Sequence, residues 1–173
     1  MEVLEAILTC RSIRRFQDQP VSDDLVEKLL RAAMSAPSIR NSQPWQFVVI
    51  TDRQILRQVP VINPYAEMAE YAPLAILICA DTRLDRLPWY WPVDCAAAAQ
   101  NMLLAAHGLG LGAVWTGVWP REERMDGFRH LLKLPTPVIA HSLIVTGHPA
   151  EQFLPEDRYR SDRVHHNGWR VQS

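Results

Sequence analysis

Arg11, Arg14 and Arg15 fall within five positions of the stretch CRSIRRFQDQPVS, around the single hydroxyl of Ser12. Like charges this close repel, so the cluster needs either solvent or an anion beside it. Arg11 and Arg14 with Ser12 offer forked N–H donors and a hydroxyl, a set suited to surrounding a phosphate. The other reading is a solvated loop whose arginines lie over apolar surface. On this stretch alone both readings stand. A second stretch, APSIRNSQPWQF (36–47), places Ser38, Asn41, Ser42 and Gln43 after Pro37 and before Pro44-Trp45. Amides and backbone groups held in a fixed extended shape can bond the edge of a flat heteroaromatic ring, and so can serve as more than a rigid connector.

Other candidates carry less chemistry. The glycines of GLGLG (108–112) follow a helical segment and precede a strand-like one, the reverse of a dinucleotide fingerprint. They read as a helix C-cap and a tight turn. No Lys follows them, so there is no phosphate-binding P-loop. His107, His130, His141, His148, His165 and His166 lack metal-ligand spacing and are expected at the surface or in the tail. Ser142 is not on a nucleophile elbow. Glu122 and Glu123 open a helix, where its dipole favours them. The catalytic side-chain set is therefore empty. An enzyme built this way would rely on a cofactor for the hard chemistry.

The elements that position these groups are legible from periodicity. The 173 residues suffice for one compact domain, expected to span 1–173 with a polar tail over 148–173. Val3, Leu4, Ile7 and Leu8 make a short amphipathic helix. Ser22 caps a second, with Leu25, Val26, Leu29, Leu30 and Ala33 on one face and Pro37 ending it. Gln46–Thr51 reads as a strand, 52–59 as a short helix, and LAILICA as a strand apolar on both faces. An aromatic loop around Trp89, Tyr90 and Trp91 leads to a long helix starting at Asp94. GAVWTG, a helix from Pro120 to near Leu134, and VIAHSLIVTG follow. The tail has no core of its own, and Phe153 and Trp169 are expected to pack it onto a surface. Helices alternate with strands, which predicts an α+β or α/β layer fold.

Net charge of −1 gives no footprint for nucleic acid. The longest apolar run, APLAILICA, is too short to span a bilayer. Glu2 and Glu5 stand where a signal peptide needs positive charge. Three cysteines without metal spacing fit a reducing compartment. The expectation is a soluble, cytoplasmic protein with no membrane or nucleic-acid partner.

Taken together, these stretches resemble the FMN-dependent nitroreductases. The family's opening motif corresponds to CRSIRRFQDQPV, its A-P-S-x-x-N-x-Q-P-W to APSIRNSQPW, its central helix and turn to DCAAAAQNMLLAAHGLGLGAVWTG, and its ending to PEDRYRSDRVHHNGW. The resemblance implies an α+β three-layer fold with a mainly antiparallel central sheet flanked by helices. It also implies a C-terminal arm wrapping the partner of a homodimer, with FMN at the interface. Arg11, Ser12 and Arg14 would hold the phosphate and ribityl chain, and Arg158 would return to the phosphate. Pro37, Ser38, Ile39, Asn41 and Gln43 would come from the partner and cover the flavin. Trp115, Thr116 and Gly117 would lie by the ring system, a backbone N–H near its N5.

The implied activity is ping-pong reduction of nitroaromatic or quinone-like acceptors by NADH or NADPH. The alternatives on the same fold are a reductive dehalogenase or other flavin chemistry, and a non-catalytic FMN carrier or sensor. Two departures concern the phosphate site. Cys10 stands where Arg is common, and Glu156 where some members have Lys, which leaves the roles of Arg15 and Arg160 open. The chain is also short for the family, so any lid is reduced, and the Trp89–Trp91 loop is a candidate to close the site instead.

Overall fold

The computed structural model describes residues 1–169; the last four positions of the expected tail lie outside the described residues. Helices α1 (Val3–Thr9) and α2 (Asp23–Met34) precede strand β1 (Trp45–Ile50). Two single-turn helices, α3 (Arg53–Leu56) and α4 (Val59–Ile62), lead to β2 (Leu74–Asp81). Then come α5 (Trp91–Gly108), β3 (Gly112–Gly117), α6 (Glu122–Leu132) and β4 (Val138–Gly147). The four strands form one sheet in the order β1-β2-β4-β3, every neighbouring pair antiparallel.

Strand alternation divides the core in two. Leu74, Ile76, Ile78 and Ala80 of β2 join α2 and α5 on one face of the sheet. Ala75, Leu77 and Cys79 join Leu56, Val59 and Phe128 on the other. Every residue of β2 is buried, which is why its sequence is apolar throughout rather than alternating. The expected three layers, with a mainly antiparallel sheet between helices, are present.

Three local expectations need correcting. Residues 52–59 are not one helix: α3 closes at Leu56, and Gln58 with Pro60 starts a separate turn. The long helix begins at Trp91, three residues before Asp94. Pro92 is tolerated there because the first helical N–H groups have no intrahelical partner. α2 ends at Met34, before Pro37, where the Ser35 N–H donates to the Arg31 and Ala32 carbonyls.

The glycine run behaves as expected. α5 ends at Gly108, and Gly110 takes φ +77°, a turn that L side chains rarely allow. Gly112 serves a different need. A Cβ at this position would lie 2.6 Å from Ile13 Cγ2, so its absence lets the arginine loop dock on β3, where the Ile13 N–H donates to the Ala113 carbonyl at 3.0 Å.

Two segments lack cover within the chain. α1 buries no residue, and Val3 and Leu4 of its apolar face are 73% and 72% exposed. Beyond Glu151 the tail is almost entirely exposed, Trp169 at 82%. Phe153 and Trp169 are not covered by their own chain, 53% and 82% exposed.

Candidate functional site

The arginine loop is built from both ends of the chain. Glu151 Oε1 accepts the backbone N–H groups of Arg14 (2.6 Å) and Arg15 (3.1 Å), so the start of the tail fixes the loop's shape. Arg11 donates through Nη1 to the carbonyls of Leu8 (3.2 Å) and Cys10 (2.7 Å) at the C-terminal end of α1. Through Nη2 it reaches the Glu156 carbonyl at 3.1 Å. Part of its charge is thus met by the carbonyls that a helix end leaves over. Among the described residues the Arg14 guanidinium has no such acceptor.

These groups converge on open space. A cavity of about 890 Å³ is walled by Arg11, Ser12 and Arg158 together with Gln100, Leu103 and Ala113. An adjoining one of about 580 Å³ adds Arg14. Arg158 holds the Glu156 carboxylate through Nε (3.2 Å) and Nη2 (3.1 Å) at its edge. Neither Arg15 nor Arg160 lines either cavity, and Arg160 pairs with Asp162 instead. Arg11, Ser12, Arg14 and Arg158 are therefore brought together.

The wall of the first cavity continues along two elements. Ala113 and Trp115 lie two apart on β3 and face the same side. On α5, Val93, Ala96, Gln100 and Leu103 recur at helical spacing on one face, ~15 Å from end to end. Val93, Ala96 and Trp115 border a third space of about 630 Å³, which is mostly aromatic, with Trp89, Trp91 and Trp119 around His141. The Trp89–Trp91 segment thus sits by Trp115, away from the arginines.

His141 departs from expectation, being buried at the centre of these rings rather than at the surface. It stacks on Trp119 (centroids 6.1 Å, 19°) and meets Trp115 at 5.9 Å. Its Nδ1 lies 3.1 Å from the Ser142 hydroxyl. Burial holds its pKa down to about 4, although a hydrogen bond with the Pro92 backbone works the other way. The imidazole is neutral at pH 7. The signal available in the sequence was its place in a mostly apolar strand.

The β3 trio divides its tasks. Thr116 turns inward and its hydroxyl donates to the Leu143 carbonyl at 3.1 Å. The Gly117 carbonyl accepts from Asn63 Nδ2 (3.2 Å) and Arg124 Nη1 (2.8 Å), two residues that motif reading did not single out. Within a strand, alternate residues aim their N–H and C=O the same way. The Ala113 carbonyl points outward to Ile13, so the N–H groups of Trp115 and Gly117 also face away from β4, along the open edge of the sheet.

Pro37, Ser38, Ile39, Asn41 and Gln43 lie in the loop between α2 and β1. They line neither arginine cavity of their own chain. The loop is anchored instead to the first turn of α5, where Asp94 accepts from the Ile39 N–H and the Ser42 hydroxyl. Cysteine chemistry has no support here. Burial pushes the Cys79 thiol up to about 12 and raises Cys95 as well, so both stay protonated. No cluster of metal-ligating side chains occurs among the described residues, and none of their helices is long and apolar enough to cross a membrane.

The sequence profile of the nitroreductase family matches residues 7–148. This chain belongs to the nitroreductase family. A Methanothermobacter thermautotrophicus protein provisionally named NADH dehydrogenase/NAD(P)H nitroreductase is 48% identical, the match covering 98% of this chain and 88% of that protein. A Parabacteroides distasonis structure with the same provisional name superposes with a TM-score of 0.93 at 41% identity, covering 96% of this chain and 98% of that one. A provisionally named Desulfovibrio desulfuricans nitroreductase, crystallised in complex with FMN, superposes at 0.84 with 33% identity and 98% of each chain covered. As a nitroreductase family member the protein keeps the family's layered α+β architecture, and the four expected motifs occupy the arginine loop, the loop after α2, α5 with β3, and the tail.

Proposed function

We propose that this nitroreductase family member is an NAD(P)H-dependent flavin oxidoreductase holding FMN between two copies of the chain. The observation that carries this reading is the convergence of Arg11, Ser12, Arg14 and Arg158 on one cavity whose wall runs along β3 to Trp115 and Gly117. The residues fit the cofactor. The guanidinium groups and hydroxyl suit a phosphate dianion, Gln100 suits a polyol chain, and Leu103 and Ala113 supply apolar wall. The names of the relatives support the same electron donor.

Bound FMN would supply the redox chemistry, serving NADH or NADPH and then a nitroaromatic or quinone-like acceptor in turn, a ping-pong order. The chain's own work is binding and orientation. Arg11, Arg14 and Arg158 attract and hold the anionic end. The outward Gly117 N–H, kept in place by Asn63 and Arg124 on its carbonyl, is the donor offered to the ring system at N5. The Trp115 and Trp119 rings and the neutral His141 keep the adjoining space dry and uncharged, which suits a flat apolar acceptor. No side chain needs to move a proton in this reading, because the cofactor carries the chemistry.

A second copy of the chain is part of this reading. The bare apolar face of α1 and the unsupported tail need a partner surface, and the 37–43 loop lies off its own arginine cavity. The test is direct. The purified protein, supplied with FMN, should bind it and oxidise NADH or NADPH in the presence of menadione or a nitrofuran, and should sediment as a dimer. Protein that binds no FMN sinks the reading. Flavin binding without turnover would leave a carrier rather than an enzyme.

A further inference from the structure

The loop after α2 is unusual in its backbone. Arg40, Asn41 and Gln43 all lie in the left-handed region, with φ of 49°, 53° and 48°. L residues rarely adopt it, because Cβ crowds the carbonyl oxygen, and such backbone persists only where its surroundings over-determine it. Here the surroundings converge on one side chain. Asp94, 3% exposed in the first turn of α5, accepts the Ile39 N–H at 3.0 Å through Oδ1. Its Oδ2 accepts the Ser42 hydroxyl at 3.2 Å. A buried carboxyl group is costly unless both oxygens are bonded, and both are spent on this loop. Within the loop, Ser38 Oγ accepts the Gln43 N–H at 3.0 Å, and the Gln43 amide donates to Asn41 Oδ1 at 2.6 Å.

We propose that Asp94 is a positioning residue that holds the 38–43 loop in its strained shape, so that the loop is preformed to cover the flavin of the partner subunit. This rests on the function proposed above, which assigns the loop to FMN. α5 makes the arrangement effective. Asp94 sits in the first turn of this 18-residue helix, which packs against the sheet, so the clamp fixes the loop to the rigid body of its own subunit. A loop that is already ordered loses less conformational freedom when it closes on a ligand, and binds it more tightly for that reason.

The test is a titration of FMN into flavin-free protein, read by quenching of flavin fluorescence, with the melting temperature of each flavin-free variant measured alongside. Asp94→Asn keeps an acceptor for the Ile39 N–H, and its amide can donate to Ser42 Oγ, so it should bind FMN within about threefold of wild type. Asp94→Ala should bind about tenfold more weakly or worse, and Ser42→Ala about threefold more weakly. A residue with a merely structural role would lower the melting temperature in Asp94→Ala and leave the affinity intact, which would overturn the proposal. Asp94→Asn binding as poorly as Asp94→Ala would overturn it too. If Asp94→Ala does not fold, Ser42→Ala decides, and unchanged affinity there refutes the clamp. Wild-type protein that binds no FMN would bring down the flavin reading and the clamp together. Wild-type binding with indifferent variants would remove the clamp alone.

Discussion

Ile13 occupies the space where a side chain on residue 112 would stand: a Cβ on Gly112 would meet its Cγ2 at 2.6 Å and its Cβ at 2.8 Å. The arginine loop is thus seated on β3 by the lack of a methyl group. Gly112→Ala should push Ile13 and the loop away from the strand. Overpacking of this kind costs about 1–3 kcal/mol. Thermal unfolding should show a melting temperature lower by ~2–4 °C for each kcal/mol lost.

Arg11 and Arg14 share a cavity but differ in what else they hold. Arg11 caps the carbonyls of Leu8 and Cys10, whereas the Arg14 guanidinium has no acceptor among the described residues. Arg14→Ala should weaken FMN binding by about tenfold or more, the worth of a charge-assisted contact, with little change in the stability of the flavin-free protein. Arg11→Ala should lower both. Isothermal titration with FMN and a melting curve on each variant separate the two outcomes.

Glu156 places a carboxylate at the rim of a site read as anion-binding, where Arg158 holds it at 3.1 Å. Glu156→Gln should free Arg158 and remove a repulsive charge. The pair is exposed, so the gain is small: FMN should bind about two- to fivefold more tightly. The difference should shrink as ionic strength rises, because screening removes it.

His141 makes stability depend on pH in a definite direction. Its folded pKa, about 4, lies below the ordinary 6.5, so the unfolded chain binds more protons in the interval between them. Stability should therefore fall as pH drops from 6.5 towards 4, by ~3 kcal/mol in total at about 1.4 kcal/mol for each pH unit. Denaturant unfolding at pH 7 and pH 4.5 measures the loss. His141→Gln should flatten this part of the profile.

Leu4, on the exposed face of α1 and outside the arginine cavity, should matter for assembly. Leu4→Lys places a charge on a helix that buries nothing in its own chain. Its monomer fold should be unchanged by circular dichroism. In analytical ultracentrifugation the dimer expected of the wild type should shift towards monomer.

How much of this was legible beforehand differs from element to element. The periodicity of Leu25–Ala33, the apolar run of β2 and the turn residues around Gly110 located α2, two strands and the end of α5, because each signal is local. Boundaries slipped where tertiary contacts overrode local preference. α5 starts at Trp91 because that ring packs edge-on against Trp119, at 5.8 Å, and against His141. His141 was misplaced because burial is set by the strand's neighbours on both sides, and a single residue's polarity does not reveal them.

The proposed cofactor site shows the same division. Residue types and their spacing were enough to mark Arg11, Ser12 and Arg14 as candidates for one anion and the 37–43 stretch as a shaped loop, since charge, hydrogen-bonding capacity and turn chemistry belong to the residues themselves; Arg158 was marked only by the resemblance to the family. That Glu151 shapes the arginine loop, that Asp94 holds a strained backbone 52 to 55 positions away, and that Asn63 and Arg124 share the Gly117 carbonyl were decided only by the fold. These are contacts between partners distant along the chain. Their existence depends on sheet register and helix packing, which bring together atoms whose proximity no local pattern records.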